Sequence, residues 1–156
     1  MNPADYLLPL PSIDWTSALA EWCWLLPANC TPQHATYFGD LFLLTDSDVG
    51  LLDLENGTFD RYCDVQASIR AALGDDDDAD VLLYAKLVDQ LATINGELTP
   101  GRCYHFKIPT VLGGEFAVSN IGTNTLDERI RFCGDIHRQI KDLPDGASVK
   151  LNFTDG

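Results

Sequence analysis

The apolar positions along this chain change period several times, and each change predicts an element. Trp15, Leu19, Trp22 and Leu26 recur at spacings of four, three and four, which puts them on one face of a helix from Trp15 to about Trp24. Asp14 stands before it as a side-chain cap, and Pro27 closes it. Trp22 lies on the stripe and belongs in the core, whereas Trp24 lies off it. Upstream, Tyr6-Leu7-Leu8 and three prolines make residues 1–12 an ordered arm on the surface. Thr31-Pro32 pairs a capping hydroxyl with proline at a first helical position, and predicts a short helical turn to Phe38 stopped by Gly39.

From Asp40 the period shortens. Residues 40–45, 49–54 and 58–63 read as three strands, joined by Asp46-Ser47-Asp48 and Glu55-Asn56-Gly57-Thr58. Asn-Gly is a strong hairpin signal, so the three form an antiparallel meander. Asp64 caps a helix from Val65 to about Leu73. Helical spacing returns from Val81 to Ile94 through Tyr84, Leu87, Val88 and Leu91, and Asn95-Gly96 stops it. Cys103 to Ile108 is a strand ended by Pro109. Gly113-Gly114 turns the chain, and a further strand follows from Glu115 to Ile121. Thr125-Leu126-Asp127-Glu128 is a capping box that opens the clearest helix, with Leu126, Ile130, Cys133, Ile136 or His137, Ile140 and Leu143 on its stripe. Gly134 inside it costs roughly 1 kcal/mol, which predicts a close backbone approach there, to the sheet. Val149 to Phe153 alternates as a last strand. The sum is one α+β domain: a mainly antiparallel sheet of about five to six strands with helices packed against it.

A chain of 156 residues, 46% of them apolar, can bury a substantial core. No apolar run reaches the roughly 20 residues that span a bilayer, and no basic-then-apolar leader is visible, so a soluble cytoplasmic protein is expected. Charge sharpens the picture. Residues 1–100 hold 17 acidic and 3 basic side chains, whereas residues 101–156 hold 7 of each, so the whole net charge of −14 resides in the first part. Such a balance argues against nucleic acid, which is held by cations on phosphates, and against anionic membranes. It favours a basic protein partner, because complementary charge speeds encounter.

Little here suggests chemistry. The five cysteines are scattered, odd in number and without a Cys-x-x-Cys, so they read as reduced thiols. The histidines lack zinc-type spacing, and no metal or cofactor is expected. Cys103 and His105 share a strand face and are the sharpest nucleophile–base or metal pair, but alternate strand residues rarely aim at each other's reactive atoms. A packed thiol beside a surface histidine is the plainer reading, and His137 reads as a satisfied boundary histidine. No hydrolase, phosphate-loop or metalloprotease motif occurs, so no catalytic residue is assigned and the protein is read as a non-enzyme. Asp75, Asp76, Asp77 and Asp78 lack the alternation and closing glutamate of a calcium loop, and form a solvated run before the helix capped by Asp80. With the hairpin carboxylates Asp46, Asp48 and Glu55 they are the expected partner-binding residues.

Several segments carry a family resemblance. They are Gly39 to Leu43, Asp53-Leu54 with Gly57-Thr58, Leu98 to Pro109, Leu112 to Phe116, Asn120, and His137 to Gly146. In these the chain resembles the C-terminal domain of the type VI secretion DNase-immunity proteins, similar to the wider SUKH immunity superfamily. The resemblance implies the same α+β fold, no catalysis and no cofactor. It also implies a protein that binds and neutralises a toxin domain; the acidic first part of the chain makes a basic, nuclease-like toxin the expected one, and a monomer or weak homodimer is expected. The alternative is a structural or regulatory scaffold, also able to dimerise, with no toxin partner.

Overall fold

The computed structural model describes residues 3–65, 69–73, 81–144 and 146. A five-stranded antiparallel sheet runs in chain order through β1 (Leu7–Leu8), β2 (Thr31–Thr36), β3 (Leu41–Leu44), β4 (Asp48–Asp53) and β5 (Thr58–Asp64). A separate antiparallel pair joins β6 (Arg102–Phe106) to β7 (Ile121–Thr125). The helices are α1 (Trp15–Ala18), α2 (Ile69–Leu73), α3 (Ala85–Asn95) and α4 (Leu126–Ile140). The α+β architecture and the meander of β3, β4 and β5 are as the sequence predicts. Backbone Tyr104 donates to the carbonyl of Tyr37 at 2.8 Å, which ties the small sheet to the large one.

Both faces of the meander are covered, which explains the unbroken run Leu41-Phe42-Leu43. Leu41 and Leu43 point to one face, where Trp22, Leu52, Leu54, Cys103, Leu126, Ile130 and Cys133 pack. Phe42 points to the other, against Val49, Cys63, Ile69, Leu73 and Leu83. A third cluster lies between α3 and the small sheet, built from Phe38, Val88, Leu91, Tyr104, Phe106 and Ile121.

Four expectations are corrected. Thr31–Thr36 is a strand, not a helical turn. β1 pairs only with Ala35 and Thr36, so Pro32 has a ladder neighbour on one side alone, Leu43 of β3, and the register shifts beside it. The helix after Asp14 ends at Ala18 and continues as a 3-10 turn, Ala20–Trp22. The strand expected at 115–121 comes later, at Ile121–Thr125, because Phe106 pairs with Ile121 and the intervening residues form a loop. Gly134 approaches Trp22 rather than the sheet: a Cβ there would lie 2.8 Å from the indole nitrogen. Residues 66–68 of the helix expected after Asp64, the aspartate run and the strand expected at 149–153 lie outside the described residues.

Candidate partner-binding surface

The acidic residues predicted to act together are divided by β4. Asp46 lies in the turn before it and Asp48 is its first residue, whereas Glu55 lies in the turn after it, about 17 Å away along an extended strand. Asp46 is exposed and accepts from the Asn29 amide at 3.3 Å. Asp48 is half-buried, accepts from the Thr45 hydroxyl at 3.0 Å and faces Arg61 at 3.4 Å. Arg61 also pairs with Asp64, which is opposite Asp48 in the ladder. Asp48 and Asp64 thus share one guanidinium at this end of the hairpin, whereas exposed Asp60 lies opposite Leu51, farther along β5. Asp75 to Asp78 lie outside the described residues.

Glu55 is not part of that surface. Its side chain is 11% exposed and turned inward, because helix α4 delivers Arg129 beneath it. Arg129 is buried, and its Nη2 lies 3.3 Å from one Glu55 oxygen. Its Nε donates to the Phe38 carbonyl at 2.6 Å, and its Nη1 to the Cys133 sulfur at 3.4 Å. The other Glu55 oxygen accepts from the backbone N–H and hydroxyl of Thr110 at 2.7 and 2.9 Å. A buried ion pair thus reaches from the helix through the β4–β5 turn to the loop after β6. Asp40 lies nearby, fully enclosed, with its Oδ1 accepting from Leu54 N–H at 2.9 Å. Burial and the neighbouring Asp53 push its carboxyl up to about 7, against the opposing pull of Arg129.

His137 closes this region as a satisfied, buried histidine. Its Nε2 is 3.0 Å from both the Leu54 and Glu55 carbonyls, so that nitrogen carries the proton. Arg129 and Asp40 were not singled out by sequence reading. The available signal was spacing: Arg129, Cys133 and His137 stand four apart, directly beside the apolar stripe.

Cys103 and His105 do not form a reactive pair. Cys103 is fully buried, and burial pushes its thiol up to about 12, which holds it protonated. Burial also lowers the His105 pKa. Among the described residues, no cluster of three or more His, Cys, Asp or Glu side chains is placed to hold a metal ion, and no helix is long and apolar enough to cross a membrane.

Residues 68–137 match the family described as T6SS immunity protein Tdi1, C-terminal. The resemblance to type VI secretion immunity proteins is supported over that segment, which runs from α2 nearly to the end of α4 and excludes the meander. The fold is similar to the crystal structure of Atu4351 from Agrobacterium tumefaciens, with a TM-score of 0.55 and 16% identity. The likeness covers 86% of this chain but only 64% of that one, and at such identity it shows the fold alone. No curated protein matches the chain.

Proposed function

We propose that this protein is a non-catalytic, immunity-type binding protein that neutralises a cognate cationic toxin domain by direct association. The match of residues 68–137 to an immunity family carries the reading. The charge distribution supports a cationic, nuclease-like partner, since 17 of the 24 acidic side chains lie in residues 1–100. Asp46, Asp48 and Asp64 supply one acidic end of the large sheet, Asp60 adds an exposed carboxylate farther along β5, and Asp75 to Asp78 add four formal charges from the run before residue 81. These exposed carboxylates act chiefly on the rate of encounter, because exposed ion pairs add little affinity.

The test uses the polypeptide encoded by the adjacent reading frame, co-expressed in a growth assay and then mixed with the purified protein. We expect rescue of growth. We also expect an association rate that falls at least tenfold between about 0.05 and 0.5 M salt, as the screening length shortens. Replacing Asp75 to Asp78 by asparagine should flatten that salt dependence. A rate indifferent to salt would remove the steering role, and absence of both binding and rescue would overturn the reading.

A further inference from the structure

Residues 107–120 connect β6 to β7 and leave three large apolar side chains in water: Ile108, Val111 and Phe116, at 57%, 39% and 58% exposure. The connection is held from several sides. The Asn120 side chain accepts from Ile108 N–H at 2.9 Å and donates to the carbonyls of Ile108 and Glu115 at 2.9 and 2.8 Å. One amide nitrogen serving both carbonyls brings the two arms of the loop together at Ile108 and Glu115, the residue before Phe116. From below, Glu55 accepts from Thr110 twice and is itself gripped by Arg129. Gly114 seals the turn, since a Cβ there would lie 1.8 Å from the Ile108 carbonyl oxygen. The Phe116 ring rests on Phe106 and Tyr84, with centroids 5.2 and 5.4 Å away. Tyr84 is the only non-glycine among the described residues with positive φ, at 54°, a conformation that bulky residues keep only when their surroundings impose it.

We infer that Ile108, Val111 and Phe116 are a pre-organised apolar anchor for a cationic protein domain. The inference rests on the immunity-type reading and names the part of the surface that carries the contact. A rigid apolar cluster binds without first losing loop entropy, and such centres hold most of the affinity of protein interfaces. Charge selects the occupant. The anchor lies in the formally neutral part of the chain, but the whole chain carries a net −14, so a second copy, a nucleic acid and an anionic membrane are repelled at long range, whereas a cationic protein is attracted. The ground beneath the anchor is negative too. Asp40, Asp53 and Glu55 face Tyr84 against Arg129, and burial together with these acids pushes its hydroxyl up to about 12.

The test places the photo-crosslinking residue p-benzoylphenylalanine at position 111, 116, 46 or 94 of the full chain in its native cell. Position 94 is the control: Ile94 is equally exposed but lies about 15 Å along α3 from Tyr84. The inference expects an adduct from 111 and 116, several-fold stronger than from 94, to a protein of net positive charge. In the chain labelled at 116, Ile108→Ser should reduce that adduct at least tenfold with an unchanged melting curve. Should Ile108→Ser unfold the chain, Val111→Ser replaces it. An adduct to a second copy or to a neutral or acidic protein would overturn the inference, as would equal labelling from 94. An adduct to a basic protein from position 46 but not from 111 or 116 overturns it while leaving the immunity reading in place. No adduct from any position overturns both.

Discussion

Gly113 and Gly114 are adjacent, yet their glycines serve different needs. Gly113 has φ +95° and open space around it, so alanine there meets only the left-handed backbone penalty of about 1–2 kcal/mol. Gly114 has no room at all: its Cβ would strike the Ile108 carbonyl. Backbone cannot rotate away as a side chain can, so Gly114→Ala should cost about 2–4 kcal/mol. Urea midpoints should fall in the order wild type, Gly113→Ala, Gly114→Ala; equal midpoints would contradict the steric account. Asp40 makes a separate prediction about pH. Its carboxyl titrates near 7 in the fold but near 3.9 in the unfolded chain. Between about pH 4 and 7 the folded state therefore holds a proton that the unfolded state has released, and stability drains away as pH rises through that window. Asn keeps the acceptor for Leu54 N–H and abolishes the titration. The stability advantage of wild type over Asp40→Asn should thus shrink by about 4 kcal/mol from pH 4 to 8. His137 works the other way, since burial lowers its pKa and stability is lost as pH falls below about 6.5. In Asp40→Asn the acid limb should remain, shared with His105, whose pKa burial also lowers, and visible in denaturation curves taken across the range.

At the scale of the element, α4 organises the molecule. The Thr125 hydroxyl accepts from Glu128 N–H at 3.2 Å and starts the helix. Its stripe of Leu126, Ile130 and Cys133 covers the large sheet and Cys103 of the small one. Trp22, wholly buried in the same cluster, donates its indole N–H to the Ile130 carbonyl at 3.0 Å. Gly134 makes that approach possible: an added Cβ would meet the Glu21 Cβ and the Trp22 indole nitrogen, both at 2.8 Å. Gly134→Ala sets a propensity gain of about 1 kcal/mol against overpacking of about 1–3 kcal/mol. We expect a lower Tm and an altered tryptophan emission. A higher Tm would mean that the 3-10 turn moves aside freely.

At the scale of the whole molecule, burial ranks the five thiols. Cys23 is exposed, Cys30 is partly buried, and Cys63, Cys103 and Cys133 are buried. Burial pushes Cys103 up to about 12 and Cys133 up to about 11, and raises Cys30 and Cys63 as well. Alkylation of the folded protein near pH 8 should modify Cys23 first and Cys30 second. Cys63, Cys103 and Cys133 should follow only as fast as the protein opens. Mass mapping of a time course reads this order directly. Early labelling of Cys103 would reopen the nucleophile–base option.

Residue order alone determined what depends on neighbours in the chain. The meander, the capped helix beginning at Leu126, the stop at Gly96 and the uneven charge follow from local periodicity, turn chemistry and side-chain type. Tertiary structure decided everything that depends on distant partners. Thr31–Thr36 became a strand because β3 offered a ladder, overriding a good local helix-start signal. Glu55 looks like one more hairpin carboxylate until Arg129, far along the chain, draws it into the core. The same pairing fastens the loop that holds Ile108, Val111 and Phe116 in water. Their apolar character was plain in the sequence. Their exposure was not, because burial belongs to the assembled surface and not to any residue's own type.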